Sequence, residues 1–217
     1  DGDYPDWLEI HNPDATPVDL AGWHLTDDAA TLTRWTFPAV SIPANGYLVV
    51  FASDKDRAVT GSELHTNFKL SAGGEYLALV GPDGTTVLQE FTPVYPDQRS
   101  DVSFDLDGLF RTDPSPGAVN IGTGVPGFVR DTKFSVDRGF YDAPFTVDIT
   151  TNTPDATIIY TTDSTTPSTT NGTQVTGSLA TVPINGTTVL RAIAFKTGLA
   201  PANVDTQTYL FLADVIT

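Results

Sequence analysis

What most constrains this chain is the shortness of its apolar runs. Segments rich in Val, Ile, Thr, Tyr and Phe recur between turn residues, and no stretch of about ten residues or more repeats its apolar positions at a helical period. A strand needs only a few residues that alternate between two faces, whereas a stable helix needs several turns with one apolar stripe. The chain therefore reads as all-β. Strands are expected over 7–11, 19–25, 34–37, 47–51, 75–80 and 87–91, and again over 145–151, 157–162, 188–195 and 204–211.

Turn chemistry divides these runs. Gly81-Pro82-Asp83-Gly84 lies between two of them, where a glycine at positive φ lets the chain reverse tightly, and a hairpin is expected there. Asn45-Gly46, Asn171-Gly172 and Asn185-Gly186 are turn signals of the same kind. From Asp113 to Gly127 the sequence changes to Pro, Gly, Ser, Asn and Thr, a composition that neither continues a helix nor fills a central strand. A domain of 1–118, a linker of 119–127 and a second domain of 128–217 are expected.

A chain of 217 residues is long enough for two such domains, each of about 100 residues with its own core. The formal charge is −16, so polyanions are repelled and no nucleic-acid partner is expected. Residues 1–118 hold 19 acidic and 6 basic side chains, and residues 119–217 hold 8 and 5, so most of the negative charge belongs to the first half. No apolar run approaches the roughly 18 residues that would cross a bilayer, and no membrane insertion is expected. Cysteine is absent, which excludes disulfides and thiolate chemistry. Methionine is absent too, so the chain is expected to be processed or part of a longer protein, with any signal peptide removed.

Several motifs fall in a fixed order in the first half. They are Asp6-Trp7-Leu8-Glu9-Ile10-His11-Asn12, then Val18-Asp19-Leu20-Ala21-Gly22-Trp23-His24-Leu25, then Trp35-Thr36-Phe37-Pro38. Ile42-Pro43-Ala44-Asn45-Gly46-Tyr47 and Asn67-Phe68-Lys69-Leu70-Ser71-Ala72-Gly73-Gly74-Glu75-Tyr76 follow. Together they resemble the bacterial form of the lamin-tail domain, an immunoglobulin-like β-sandwich that holds and presents other elements. In the second half, Phe145-Thr146-Val147, Ala156-Thr157-Ile158-Ile159-Tyr160-Thr161-Thr162-Asp163 and Val189-Leu190-Arg191-Ala192-Ile193-Ala194-Phe195 resemble the immunoglobulin-like module at the C-terminus of chitobiase and other hexosaminidases. One departure is visible: that family usually has Asp-Gly-Ser where this chain has Asp163-Ser164-Thr165, so the turn is open to a different conformation. The resemblance implies two tandem immunoglobulin-like β-sandwich domains. The order of the two modules is similar to that found ahead of CotH-like spore-coat kinase domains, and no kinase motif occurs in these residues.

Candidate sites are few. Gly122-Thr123-Gly124-Val125-Pro126-Gly127 fits the spacing of a dinucleotide fingerprint, but such a site needs a preceding buried strand and a following helix, and a flexible linker is the better reading. His11, His24 and His65 show no local serine and carboxylate arrangement that would make a nucleophilic triad. Trp7 and Trp23 are expected to plug the core, whereas Trp35 with Tyr95 is the candidate surface pair for stacking on sugar rings. Calcium takes six to eight oxygens, and Asp1, Asp3 and Asp6 with Asp27 and Asp28 are the carboxylates placed to supply them. Solvated loops are the competing account of these acids; no cofactor is required by the sequence, and calcium is the one these acids suggest. Glu9 alternates with Leu8 and Ile10 and so faces away from the core, where a structural hydrogen bond is expected.

These features lead to one expectation and one alternative. The expectation is a non-catalytic structural or interaction segment of a larger secreted or cell-surface bacterial protein, spacing or presenting a neighbouring domain of the same polypeptide. A cell-surface protein or a polysaccharide would be its further partner. The alternative is a carbohydrate-binding accessory module of a secreted hydrolase.

Overall fold

The structure is a computed structural model that describes residues 3–215. Its regular elements are nearly all strands, with one short helix among the described residues at Leu212–Val215. The Cα framework separates into two compact units: residues to 104 with 111–123, and residues 105–110 with 124 onward. Each unit is an immunoglobulin-like β arrangement with its own core.

In the first unit, Asp6–His11 pairs antiparallel with Tyr47–Ala52, which pairs in parallel with Leu64–His65. A second sheet runs in the order Trp35–Thr36, His24–Thr26, Leu77–Val80, Val87–Phe91, and a two-stranded ribbon joins Val18–Asp19 to Ser41–Ile42. Period-two alternation decides what faces inward. Leu8 and Ile10 lie opposite Val50 and Leu48, and all four pack into the core with Leu20, Leu25, Trp35, Phe37, Ile42 and Phe68. Trp7, Glu9 and His11 take the other face of the same strand.

The expected strand over 19–25 is two strands in different sheets. Asp19 accepts a hydrogen bond from the Ala21 N–H at 2.9 Å, and this Asx turn breaks the run between Val18–Asp19 and His24–Thr26. The hairpin at Gly81 to Gly84 forms as expected between Leu77–Val80 and Val87–Phe91. Gly81 N donates to Thr86 O at 2.8 Å, and the Asp83 carboxylate accepts from the Thr86 hydroxyl and from the backbone N–H groups of Thr85 and Thr86. Those hydrogen bonds, led by the one from the Thr86 side chain, hold the Asp83 carboxyl far below the usual carboxylate range.

The second unit is a sandwich of two larger sheets. One has the order Lys133–Phe134, Phe145–Thr150, Leu179–Ile184; the other has the order Gly139–Tyr141, Asp205–Phe211, Thr188–Phe195, Thr157–Thr161, Thr173–Thr176. Val147, Ile149, Ala180, Val182 and Ile184 from the first meet Ile158, Leu190, Ala192, Tyr209 and Phe211 from the second. Tyr209 is fully buried, and its hydroxyl donates to Val136 O at 2.8 Å. Burial, followed by the nearby Tyr141 and Asp137, pushes its pKa up to about 12. The turn at Asp163-Ser164-Thr165 places Ser164 at φ 67°, in the left-handed region where glycine is at ease. The Asp163 carboxylate accepts from the N–H (3.1 Å) and hydroxyl (2.6 Å) of Thr165 and stabilises that turn.

The Pro/Gly-rich segment has structure of its own. Within the first unit, the Gly117 N–H donates to the Glu9 carboxylate, Ala118 N donates to Ser115 O, and the Ser115 hydroxyl donates to Val119 O. The structural hydrogen bond expected for Glu9 is therefore made to backbone. Within the second unit, Phe110 and Val125 exchange backbone hydrogen bonds of 2.8 and 2.9 Å, and the Phe110 and Phe128 rings lie 4.5 Å apart.

Candidate functional site

Among the described residues, the carboxylates singled out for calcium do not assemble. Asp1 lies outside the described residues. Asp3 receives a 3.1 Å hydrogen bond from the Lys55 ammonium, which together with that group's charge holds the Asp3 carboxyl below its usual value. Asp3 and Asp6 line an open hollow of about 450 Å³, but Lys55 and Lys69 line it as well, so its charge is mixed. Asp27 lies 3.0 Å from Arg34 in an ion pair without hydrogen-bond alignment, and its contacting oxygen is buried without a donor. Burial outweighs the Arg34 charge there and pushes the Asp27 carboxyl up. Asp28 points away into its own turn, accepting from Ala30 N at 2.9 Å and from the Thr31 hydroxyl at 3.0 Å, and both bonds lower its pKa. Among the described residues, no three His, Asp or Glu side chains gather in a way that would hold a metal ion.

The sugar-stacking pair is corrected by burial. Trp35 is 2% exposed and Tyr95 4%, and both belong to the core of the first unit, so neither offers a ring face to a ligand. Trp35 pairs across the sheet with Leu25 and meets Phe37 edge-on at 4.8 Å, while its strand neighbour Thr36 takes the outer face. Tyr95 is held in place by its hydroxyl, 2.9 Å from Ser71 O and 3.1 Å from a Glu75 carboxylate oxygen. Burial, then the Glu75 charge, pushes its pKa well above the tyrosine norm. The expected roles of the tryptophans are also reversed in part. Trp7 is half-buried on the outward face with Glu9 and His11, because Leu8 and Ile10 occupy the inward one; Trp23 packs against the core as expected.

Of the histidines, His11 stacks on Tyr47 with ring centres 4.4 Å apart, and His24 Nδ1 lies 2.9 Å from the Thr36 hydroxyl. His65 was the informative one, and sequence reasoning missed its setting. It is 4% exposed, its ring lies against Phe51 with centres 5.2 Å apart, and it sits between Ser53, 2.8 Å from Nδ1, and the Arg57 guanidinium, 2.5 Å from Nε2. Phe51 and His65 are register partners across the parallel pairing of their strands, which is what places His65 near Ser53. Arginine can only donate, so Nε2 must accept; the ring is then neutral, its proton is on Nδ1, and that proton is given to the Ser53 hydroxyl oxygen. A serine that accepts from histidine is not being deprotonated by it. The pair thus has the wrong polarity for nucleophilic catalysis.

In the glycine fingerprint Gly122 is left-handed at φ 73°, and the residues after it are held by backbone pairing: Val125 is bonded to Phe110, and Gly127 O accepts from Ala200 N at 2.9 Å. No helix follows it, so its amides have no phosphate-binding arrangement. No described helix is long and apolar enough to cross a membrane.

Comparison with known families assigns a model to each half of the chain. The Lamin Tail Domain model matches residues 1–93, and the Chitobiase/beta-hexosaminidase C-terminal domain model matches residues 136–206. No curated protein and no solved structure matches the chain.

Proposed function

We propose that this chain is a non-catalytic structural and interaction segment of a larger secreted or cell-surface bacterial protein, and that it spaces or presents a neighbouring domain of the same polypeptide. The observation that carries this reading is the succession of two immunoglobulin-like modules in one chain, each with its own core. The functional groups that resemble chemistry also have structural occupations: His65 is locked between two partners, and Asp3, Asp27 and Asp28 each have a local cation or donor. A parent bearing a CotH-like kinase domain and a cell-surface protein as partner are part of the same proposal. The test is an assay of the isolated chain against aryl glycosides and against ATP with generic acceptors. Background rates are expected, because a glycosidase needs two acids flanking a bound sugar and a kinase needs a phosphate cradle with metal-binding acids. Turnover that disappears when one Asp or Glu is replaced by Ala, in a protein that stays folded, would overturn the reading.

The match to the chitobiase-type model also favours a second reading, a carbohydrate-binding accessory module. An aromatic able to serve it is Phe140, 70% exposed on the edge strand Gly139–Tyr141. Retention of the chain on insoluble polysaccharide, lost in Phe140→Ala, would select this reading over presentation alone.

A further inference from the structure

The excursion over residues 54–66 is closed at its base, where Asp56 N donates to Thr66 O at 3.1 Å and Asp54 N to Phe68 O at 3.1 Å, and again one step further out. Arg57 and His65 exchange backbone hydrogen bonds of 2.9 and 3.0 Å, and the same two side chains meet at 2.5 Å. Beyond that closure the loop is open, with Val59 55% exposed and the Thr60 hydroxyl donating to Ala39 O at 3.0 Å.

We propose that His65 is an acid-sensitive latch, whose protonation drives the ring out from between Arg57 and Phe51 and opens the 54–66 excursion. In the closed state both ring nitrogens are used, Nδ1 as donor to Ser53 and Nε2 as acceptor from Arg57. A second proton would sit on Nε2 and point at the guanidinium, so an attraction becomes a donor facing a donor and a cation facing a cation. The charged groups around the ring make this worse on balance. Arg57 and Lys55 both oppose the imidazolium; Glu63 favours it from 4.0 Å, but that carboxylate is 69% exposed and screened, and Asp3, in the adjoining hollow, is engaged by Lys55. Burial adds to the cost of charge, and the ring accordingly holds its pKa below the ordinary histidine value.

The sign follows from proton uptake. Open or unfolded chain takes up the proton near the ordinary histidine value, and the closed chain takes it up only at lower pH. Closure is therefore fully favoured above the ordinary value and weakens as the pH falls below it, until the latch itself protonates. Hydrogen exchange of the Arg57 and His65 amides, corrected for intrinsic rates, measures this directly in the full chain. Between about pH 7.5 and about pH 5 the closed-to-open ratio should fall by up to about tenfold per pH unit below the ordinary value, while amides of the Asp6–His11 ladder stay protected. His65→Gln, which keeps a donor and an acceptor but cannot charge, should flatten that pH response, and Glu63→Gln should steepen it. Should His65→Gln fail to fold, ring ¹⁵N shifts of the unaltered chain decide the matter: a neutral ring protonated on Nδ1 that titrates below the ordinary value supports the latch. An Nε2-protonated ring, an ordinary titration, or protection that does not change with pH would overturn it.

Discussion

The two units bury their largest side chains by different means. In the second, the strands Phe145–Thr150, Thr157–Thr161, Leu179–Ile184, Thr188–Phe195 and Asp205–Phe211 deliver alternate residues to one interface, so that backbone ladder and apolar packing are laid down together. In the first, Trp35 comes from a two-residue strand, while Leu20, Phe68 and Tyr95 come from loops. A loop residue has no neighbouring ladder to aim it, so turns and side-chain hydrogen bonds must do so. Buried polar anchors bonded to backbone occur in both units, Asn12 and Thr66 in the first and Thr151 and Thr161 in the second; in the first, the Thr66 hydroxyl donates to the carbonyl of the loop residue Phe68 itself. A core aimed by strands tolerates a damaged turn; a core aimed by turns does not.

Substitutions can break that contrast. The largest loss is expected from Gly74→Ala: at φ 86° an added Cβ would lie 2.1 Å from Tyr95 O, and the turn that positions Tyr95 would have to move. A cost of more than about 3 kcal/mol in chemical denaturation is expected; a near-neutral result would show that Tyr95 is held by packing alone. Asn12→Ala comes next. Its amide donates to Thr16 O and Pro43 O at 2.9 Å and to Ile42 O at 3.2 Å, and its side-chain oxygen accepts from Asp14 N at 3.0 Å. Removing it leaves buried groups unpartnered, and a loss of about 2 kcal/mol is expected by the same measurement.

The smaller effects sharpen the comparison from the side of the second unit. Ser164→Gly relieves a left-handed serine, and a gain of about 0.5–1 kcal/mol is expected, since the neighbouring strands do not depend on that turn for their aim. A loss on this replacement would mean that the serine hydroxyl contributes more than its backbone strain removes. Smallest of all is the response to calcium. With Asp3 on Lys55 and Asp28 within its own turn, millimolar Ca²⁺ should leave the thermal midpoint where Mg²⁺ leaves it; a midpoint raised by Ca²⁺ alone would restore a metal site that includes Asp1.

What could be read from the sequence follows the same division. Of the longer strands, 87–91 and 188–195 begin and end where expected, whereas Leu179–Ile184 was not among those expected. Leu179–Ile184 alternates exposed and buried residues along its length, but Pro183 argues against a strand; it is tolerated because this is an edge strand. Two-residue strands such as Leu64–His65 carry no period at all, so the neighbourhood of His65 was invisible: Ser53 and Arg57 reach it only through pairing between segments. The tryptophans misled for a related reason. Alternation around Leu8 and Ile10 already placed Trp7 outward, but bulk and motif suggested otherwise, and the short strand of Trp35 gave no inward face to read.

The tie between Glu9 and Gly117 links positions 108 residues apart. A chain emerging from the ribosome presents Glu9 long before Gly117 exists, so the first sheet forms with this carboxylate still solvated and receives its last clasp only when the unit is almost fully made. A truncation that keeps the core residues through Tyr95 and the chain to Phe104 but stops short of position 117 would therefore be folded but unclasped, and a nascent chain paused there would differ from the finished unit at its oldest strand.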